Sequence, residues 1–193
     1  CCLLISILGS YAMTRLKYPG RRFFKTSIIF SYLIPTAVLF VPMYVFVSKL
    51  GFYDNKWALL IIYPTTVVPY CCYMLMSYFK AIPYALEEAA LIDGCTRMKS
   101  LRYIITPIAL PGIAVVATFA FTMSWNEYLY AMIMTTSPAQ QTAVVAISSF
   151  KYADSAIWGR IMAASVLTSL PVTIIYIVAQ AQLISGKSDG SVK

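Results

Sequence analysis

Histidine is absent from the 193 residues, and only seven positions carry aspartate or glutamate. The first absence rules out a Ser-His-Asp catalytic set. The second leaves acids too scattered for two carboxylates to share acid–base work. Metal donors are short as well. Neither the Cys1-Cys2 pair nor the Cys71-Cys72 pair has a second pair to complete four ligands. Cys95 falls in a stretch assigned below to the cytoplasmic side, where disulfides are rare, and the cysteines read as small apolar fillers. A phosphate-binding loop is missing too: Gly186-Lys187-Ser188 has Ala181 where the first glycine of that motif is required. The chain is therefore expected to hold no catalytic residue, no metal and no cofactor of its own.

Charge is the next scarcity. Only 11% of residues are charged, against about 25% in an ordinary soluble domain, while 60% are hydrophobic and the mean hydropathy is +0.75. The charges leave uncharged windows at 26–48, 57–79 and 161–186, and a fourth at 103–150 interrupted only by Glu127. A membrane-crossing helix needs roughly 20 predominantly apolar residues, so the first three windows predict one span each. The fourth predicts a span followed by a polar exit loop. Residues 1–14 are apolar but too short to cross alone, and no Met stands at their start. With basic residues after the apolar stretch instead of before it, they do not resemble a signal peptide and read as the tail of a helix whose beginning is missing. The expected fold is all-α, a polytopic helical bundle integral to the membrane, with four complete spans and a truncated one.

Lysine and arginine accumulate in short cytoplasmic loops. Arg15, Lys17, Arg21, Arg22 and Lys25 fill one loop, and Lys80, Arg97, Lys99 and Arg102 fill another. Placing both inside also puts Lys187 and Lys193 inside, and leaves Lys49, Lys56, Lys151 and Arg160 outside. The net charge of +8 is then a topology signal. No basic stripe on a soluble face points to nucleic acid.

The most informative stretch is 81–103. Pro83 suits the first turn of a helix, and Glu87 and Glu88 lie near its positive end. Ala89, Ala90 and Leu91 propagate it, Gly94 offers a left-handed stop, and Thr96 offers a cap for a second helix running on towards the membrane. The predicted product is a helix, a sharp turn and another helix at the cytoplasmic face. Its small, acidic surface suits the groove of a partner protein, and a rigid continuation into a span would carry a push into the bilayer. A helix lying passively on lipid would favour basic residues on its polar face, whereas this one carries Glu87, Glu88 and Asp93. Pattern alone leaves both readings open.

Glu88-Ala89-Ala90, Gly94, Ile104 and Pro107, at their spacing here, closely resemble the EAA loop of binding-protein-dependent ABC importer permeases. Thr106 stands where that family usually has Leu. Tyr18-Pro19-Gly20-Arg21-Arg22, Trp125-Asn126-Glu127-Tyr128-Leu129, Trp158-Gly159, Leu170-Pro171, Ala179-Gln180 and the tail 186–193 are similar to the family's carbohydrate branch, in particular the smaller permease of maltose-type importers. The resemblance implies a single permease domain over 1–193, incomplete at its N-terminus, with a coupling loop at 81–103 and a cytoplasmic tail at 185–193. It implies that Glu87, Glu88, Ala89, Ala90, Asp93, Gly94 and Pro107 couple to an ATPase subunit dimer, which Gly190, Val192 and Lys193 also reach. ATP and Mg would be used by that ATPase and not by this chain. A second homologous permease, an extracytoplasmic solute-binding protein and membrane lipid complete the implied partners. The implied location is the cell membrane of a bacterium or archaeon, multi-pass, with the C-terminus in the cytoplasm. The implied activity is import of a sugar or oligosaccharide as one half of a two-permease pore.

Three features remain outside the loop. Trp125, Asn126 and Glu127 are candidates for pore or outer-loop contacts; Glu127, an ionisable group near a helix core, is either functional or placed at the outer interface by its distance along the helix. Pro35, Pro42, Pro64, Pro69, Pro111 and Pro171 are expected to bend spans or open their backbone bonds. Trp57, Tyr63, Tyr128, Tyr130, Phe150, Tyr152 and Trp158 read as an outer interfacial belt, beside a loop (135–158) long enough to meet an external protein. An amino-acid or polyamine permease of the same class is one alternative, because the coupling loop reports the engine and not the cargo. A secondary transporter or membrane scaffold is the other. The first of these would show internal repeats and midplane ionisable groups, and neither is found.

Overall fold

The computed structural model of the chain describes residues 1–150 and 158–188, with side chains followed as far as Gln180. All regular structure among the described residues is helical. The centre of the fold is α4, Ala58–Ala81, whose 24 residues at 1.5 Å each reach about 36 Å, enough to cross a bilayer core of about 30 Å. Helix α1, Cys2–Arg15, lies along it, joined by the Ser10 hydroxyl donating to the Cys72 carbonyl at 3.2 Å.

Helices α2 (Arg21–Leu33) and α3 (Thr36–Lys49) also contact α4. They were expected to form one span, but they meet at 101°. The cause is local: the ring of Pro35 crowds the preceding residue out of the helical region, and Ile34 is extended at φ −71°, ψ 122°. Pro35 itself has no N–H to continue the ladder.

The short helix α5, Tyr84–Ile92, follows α4 after a corner at Ile82 and Pro83. Pro83 stands one residue before the first turn instead of inside it. Beyond α5 the chain runs through α6 (Arg97–Ser100), a π-helical stretch (Leu101–Ile105) and α7 (Thr106–Ile108) into α8, Leu110–Trp125. The second helix runs on into α8 as expected, but through a bend: the 97–108 segment meets α8 at 84°. Pro111 lacks the N–H that would bond the Pro107 carbonyl, so the backbone turns at Ala109.

Short helices α9 (Leu129–Met134) and α10 (Ala143–Ser149) form the opposite end of the molecule, and α11, Trp158–Ser188, packs on α8 and α10. Among the described residues two single helices, α4 and the 158–180 part of α11, are long and apolar enough to cross a membrane; the two bent pairs raise this to four if each counts as one span. Pro42, Pro64, Pro69 and Pro171 lie inside helices that continue past them.

Two cores sit at the two ends of α4. One gathers Val67, Cys71, Leu75 and Phe79 with Tyr11, Ile105 and Ile113 next to the α5 corner. The other gathers Ala58, Leu59 and Ile62 with Val47, Tyr130, Ala131 and Met134. Tyr130 is fully buried there, so it belongs to a core and not to an interfacial belt, whereas Trp57 and Trp158 are exposed. Tyr152 and Lys151 lie outside the described residues.

Candidate functional site: the α5 loop

The ends of α5 are set by backbone chemistry. Gly94 takes φ +84°, the left-handed region, in which a side chain would crowd the backbone. Its N–H donates to the Leu91 carbonyl at 3.2 Å and that of Cys95 to the Ala90 carbonyl at 2.9 Å, the paired bonds of a Schellman stop. The Thr96 hydroxyl then accepts from the Lys99 N–H at 3.4 Å and starts α6. The sequence-derived helix, stop and second helix are all present.

A helix this short sorts its residues by face. Glu88, Ala89, Asp93 and Gly94 are exposed, and between them Ile92 is 86% exposed, an apolar side chain held in the open at the tip of the loop. Glu87 and Ala90 are only 4% exposed and face inward, so these two of the predicted docking residues are not part of the free surface. Pro107 is exposed, at the 84° bend.

What Glu87 meets inside was not anticipated. The Tyr11 hydroxyl donates to its Oε1 at 2.6 Å. Arg15 Nε lies 3.8 Å from its Oε2, and Arg97 Nη1 lies 3.8 Å from Oε1. Arg15 is buried, and its Nη2 donates to the Phe79 carbonyl and, at 2.6 Å, to the Ile82 carbonyl, at the end of α4 where carbonyls lack helical partners. The guanidinium also stacks on the Tyr84 ring, 4.2 Å from its centroid, and the Tyr84 hydroxyl donates to the Thr14 carbonyl at 2.6 Å. Arg21 in turn donates to the Met13 and Thr14 carbonyls at 2.8 and 2.7 Å. Arginines counted in the sequence only as topology markers thus cap two helices and pair with the loop. The available signal was Tyr11 and Arg15 four apart on one helix face, with Arg15 ending an apolar run.

At the opposite end, the Glu127 carboxylate is bonded into the backbone. Its two oxygens accept from the Tyr130 and Ala131 N–H groups at 2.9 and 3.0 Å, capping α9 at its positive end. The Trp125 indole donates to the Thr168 carbonyl at 3.0 Å and stacks on Phe121, tying α8 to α11. Asn126 is exposed and lines, with Glu127, Tyr128, Thr36 and Thr66, a cavity of about 350 Å³ beside the α2–α3 bend. A second tie links the two loops at this end: Asp54 accepts from the Ser137 N–H at 2.8 Å and from its hydroxyl, which holds the Asp54 carboxyl below its ordinary pKa. The tail residues Gly190, Val192 and Lys193 lie outside the described residues.

A family model described as "Binding-protein-dependent transport system inner membrane component" matches residues 5–187. The chain is 37% identical over 191 residues to the inner membrane ABC transporter permease protein YcjP of Escherichia coli (strain K12), covering 99% of this chain and 68% of that one. It is 33% identical over 190 residues to the trehalose/maltose transport system permease protein MalG of Thermococcus litoralis, covering 98% of this chain and 68% of the relative. In fold it is similar to a chain of a bacterial ABC transporter involved in the import of the acidic polysaccharide alginate, with a TM-score of 0.79 at 23% identity over 93% of this chain and 68% of that one.

Proposed function

The chain belongs to the family of binding-protein-dependent transport system inner membrane components, and from that membership we propose that it forms one half of the pore through which an ATP-driven importer takes up a sugar or oligosaccharide. The cargo class rests on relatives such as the trehalose/maltose permease. The coupling role rests on the two faces of α5: one bonded into the fold, the other offering Glu88, Ala89, Ile92, Asp93 and Gly94 to a partner. A side chain as apolar and as open as Ile92 gains most by entering a groove on another protein.

In this reading residues 81–103 are the coupling loop of a single permease domain, 1–193. An ATPase subunit dimer receives the outer face of α5 and the tail 185–193, including Gly190, Val192 and Lys193, and uses ATP and Mg. The basic loops around Arg15–Lys25 and Lys80–Arg102 face the cytoplasm, and so does the C-terminus. α4, α11 and the two bent pairs then give four spans in the cell membrane of a bacterium or archaeon, bordered by lipid. A second homologous permease completes the pore, and a solute-binding protein delivers cargo to the outer end, where Asn126 lines a cavity.

The test is co-purification of the tagged subunit, gently solubilised from its native membrane, with its ATPase. Wild type should bring down an ATPase whose hydrolysis rises with loaded binding protein. Glu88→Lys should lose the ATPase or its stimulation while the helical content of the subunit stays unchanged. A well-folded wild type with no ATPase attached would sink the reading. Sugar binding by the cognate binding protein decides the cargo, and an amino-acid or polyamine ligand there would overturn that part alone.

A further inference from the structure

We propose that Tyr11 and Arg15 are positioning residues that clasp α5 to the end of α1, so that a displacement of α5 enters the membrane through α1 as well as through the chain connections to α4 and α8. The proposal rests on the docking reading of α5 and adds the route by which its motion is passed on.

On the inner side of α5 the side-chain hydrogen bonds of Tyr84 and Glu87 both run to α1, and Glu87 also faces Arg97 of α6. Glu87 takes the Tyr11 hydroxyl at 2.6 Å and faces Arg15. Tyr84 donates to the Thr14 carbonyl at 2.6 Å and lies under the Arg15 guanidinium. The partners are 76 and 70 residues apart in sequence, so nothing in chain connectivity requires these contacts. Arg15 is the hub. Its Nη2 holds the last carbonyls of α4 while its Nε faces the α5 carboxylate, so the end of α1, the end of α4 and the first turn of α5 share one buried cation. Guanidinium geometry suits the task because its donors point in fixed directions.

Covalent links alone would transmit poorly. The corner from α4 into α5 is two extended residues, Ile82 and Pro83, and the path from α5 to α8 passes a glycine turn and an 84° bend. The clasp bypasses both. From α1 the displacement reaches α4 along their shared length, where Ser10 bonds Cys72 and the Cys72 thiol faces the Ser6 carbonyl at 3.7 Å.

The experiment uses the assembled complex with its ATPase and binding protein, and compares Glu87→Ala, Tyr11→Phe and Arg15→Lys with wild type. Two readouts are taken: ATPase retained on the tagged subunit, and the ratio of solute-stimulated to unstimulated hydrolysis together with uptake. The clasp predicts that the ATPase is retained and that the ratio falls by roughly 2- to 30-fold, the span reached by mutations along a coupling path. Tyr11→Phe, which deletes one hydroxyl and leaves the ring, should give the smallest fall and keeps the test open where Glu87→Ala does not assemble. A pair of spin labels on α1 and α5 supplies a readout that fold stability alone does not move: their separation should stay constant through the nucleotide cycle in wild type and broaden in Tyr11→Phe. Loss of the ATPase, to the extent seen in Glu88→Lys, from a Glu87→Ala subunit whose helical content and thermal midpoint match wild type would make Glu87 a docking residue and overturn the clasp, as would full stimulation in Tyr11→Phe with an unchanged label separation. Absence of the ATPase from wild type would instead overturn the docking reading.

Discussion

Gly94 stops α5 because of its backbone and meets nothing with a side chain: a Cβ built there has no atom within 4 Å, yet φ is +84°. Any substitution therefore acts first through conformation, with a cost of roughly 1–2 kcal/mol for alanine in the left-handed region. Asparagine visits that region more readily and should cost less. Gly94→Ala is thus expected to lower the thermal midpoint of the purified subunit more than Gly94→Asn, although asparagine is the larger residue. The reverse order would mean that space governs the position and not φ. The same separation matters for function, because a bulky Gly94→Arg mixes strain with a changed docking surface, whereas Glu88→Lys changes the surface alone. Gly94 and Thr96 were legible in the sequence because stops and caps are made by residues three to five apart. The inward turn of Glu87 was not, because nothing within α5 marks it; its partners Tyr11 and Arg15 lie on a helix brought beside it by the packing of α1 on α4.

At the scale of helices, hydropathy windows located the apolar lengths but not the angles between their halves. Counting apolar residues is blind to a missing N–H, and so 26–48 read as one span where the backbone turns by 101°. Proline supplied half of the signal. Pro35 and Pro111 mark the two sharp bends, while Pro42, Pro64, Pro69 and Pro171 sit in helices that run on. Pro64 frees the Leu60 carbonyl and Pro69 the Thr65 carbonyl without ending α4, which a membrane helix tolerates where neighbours or water supply donors. The contact between α4 and α8 depends on another small feature. A Cβ on Gly112 would overlap the Cγ, Cδ1 and Cε1 carbons of the Tyr78 ring, which move only if the whole ring does. Gly112→Ala should therefore destabilise the α4–α8 contact by about 1–3 kcal/mol, the usual cost of overpacking. The loss should be largely recovered in the double variant with Tyr78→Ala, since residues in contact couple. Thermal unfolding of the four proteins of this cycle measures the coupling, and additive losses would show that the two helices do not meet at Gly112.

Across the whole molecule, large apolar faces are left uncovered on α11, at Val166, Leu167, Leu170, Ile174 and Ile177, and on the α2–α3 pair, at Phe30, Leu33, Val38 and Val41. In a membrane protein, exposure alone does not say what lies opposite, but the backbone does. Lipid accepts only segments whose polar groups are satisfied within themselves. On α11 the Ser165, Thr168, Ser169 and Thr173 hydroxyls all donate back to carbonyls of their own helix, and the helix runs on past Pro171, whose missing N–H frees the Leu167 carbonyl, so this face comes closer to that condition than a broken ladder does. The α2–α3 bend does not meet it, because Pro35 has no N–H and Ile34 leaves the helical region, so hydrogen bonds of the ladder are lost at the turn. That turn belongs against protein or water, and it borders the cavity lined by Asn126, Glu127 and Thr36. In the assembled transporter, a cysteine placed at Val38 is then expected to react with a membrane-impermeant thiol reagent or to cross-link to the second permease. One placed at Ile174 should resist the reagent and respond to quenchers carried on lipid chains. Both measurements are made in a background with the five native cysteines replaced. Lipid quenching at Val38 with no aqueous reactivity and no cross-link would place the bend in hydrocarbon, and the assignment of the α2–α3 bend to protein or water would fall while that of α11 to lipid stood on its own result.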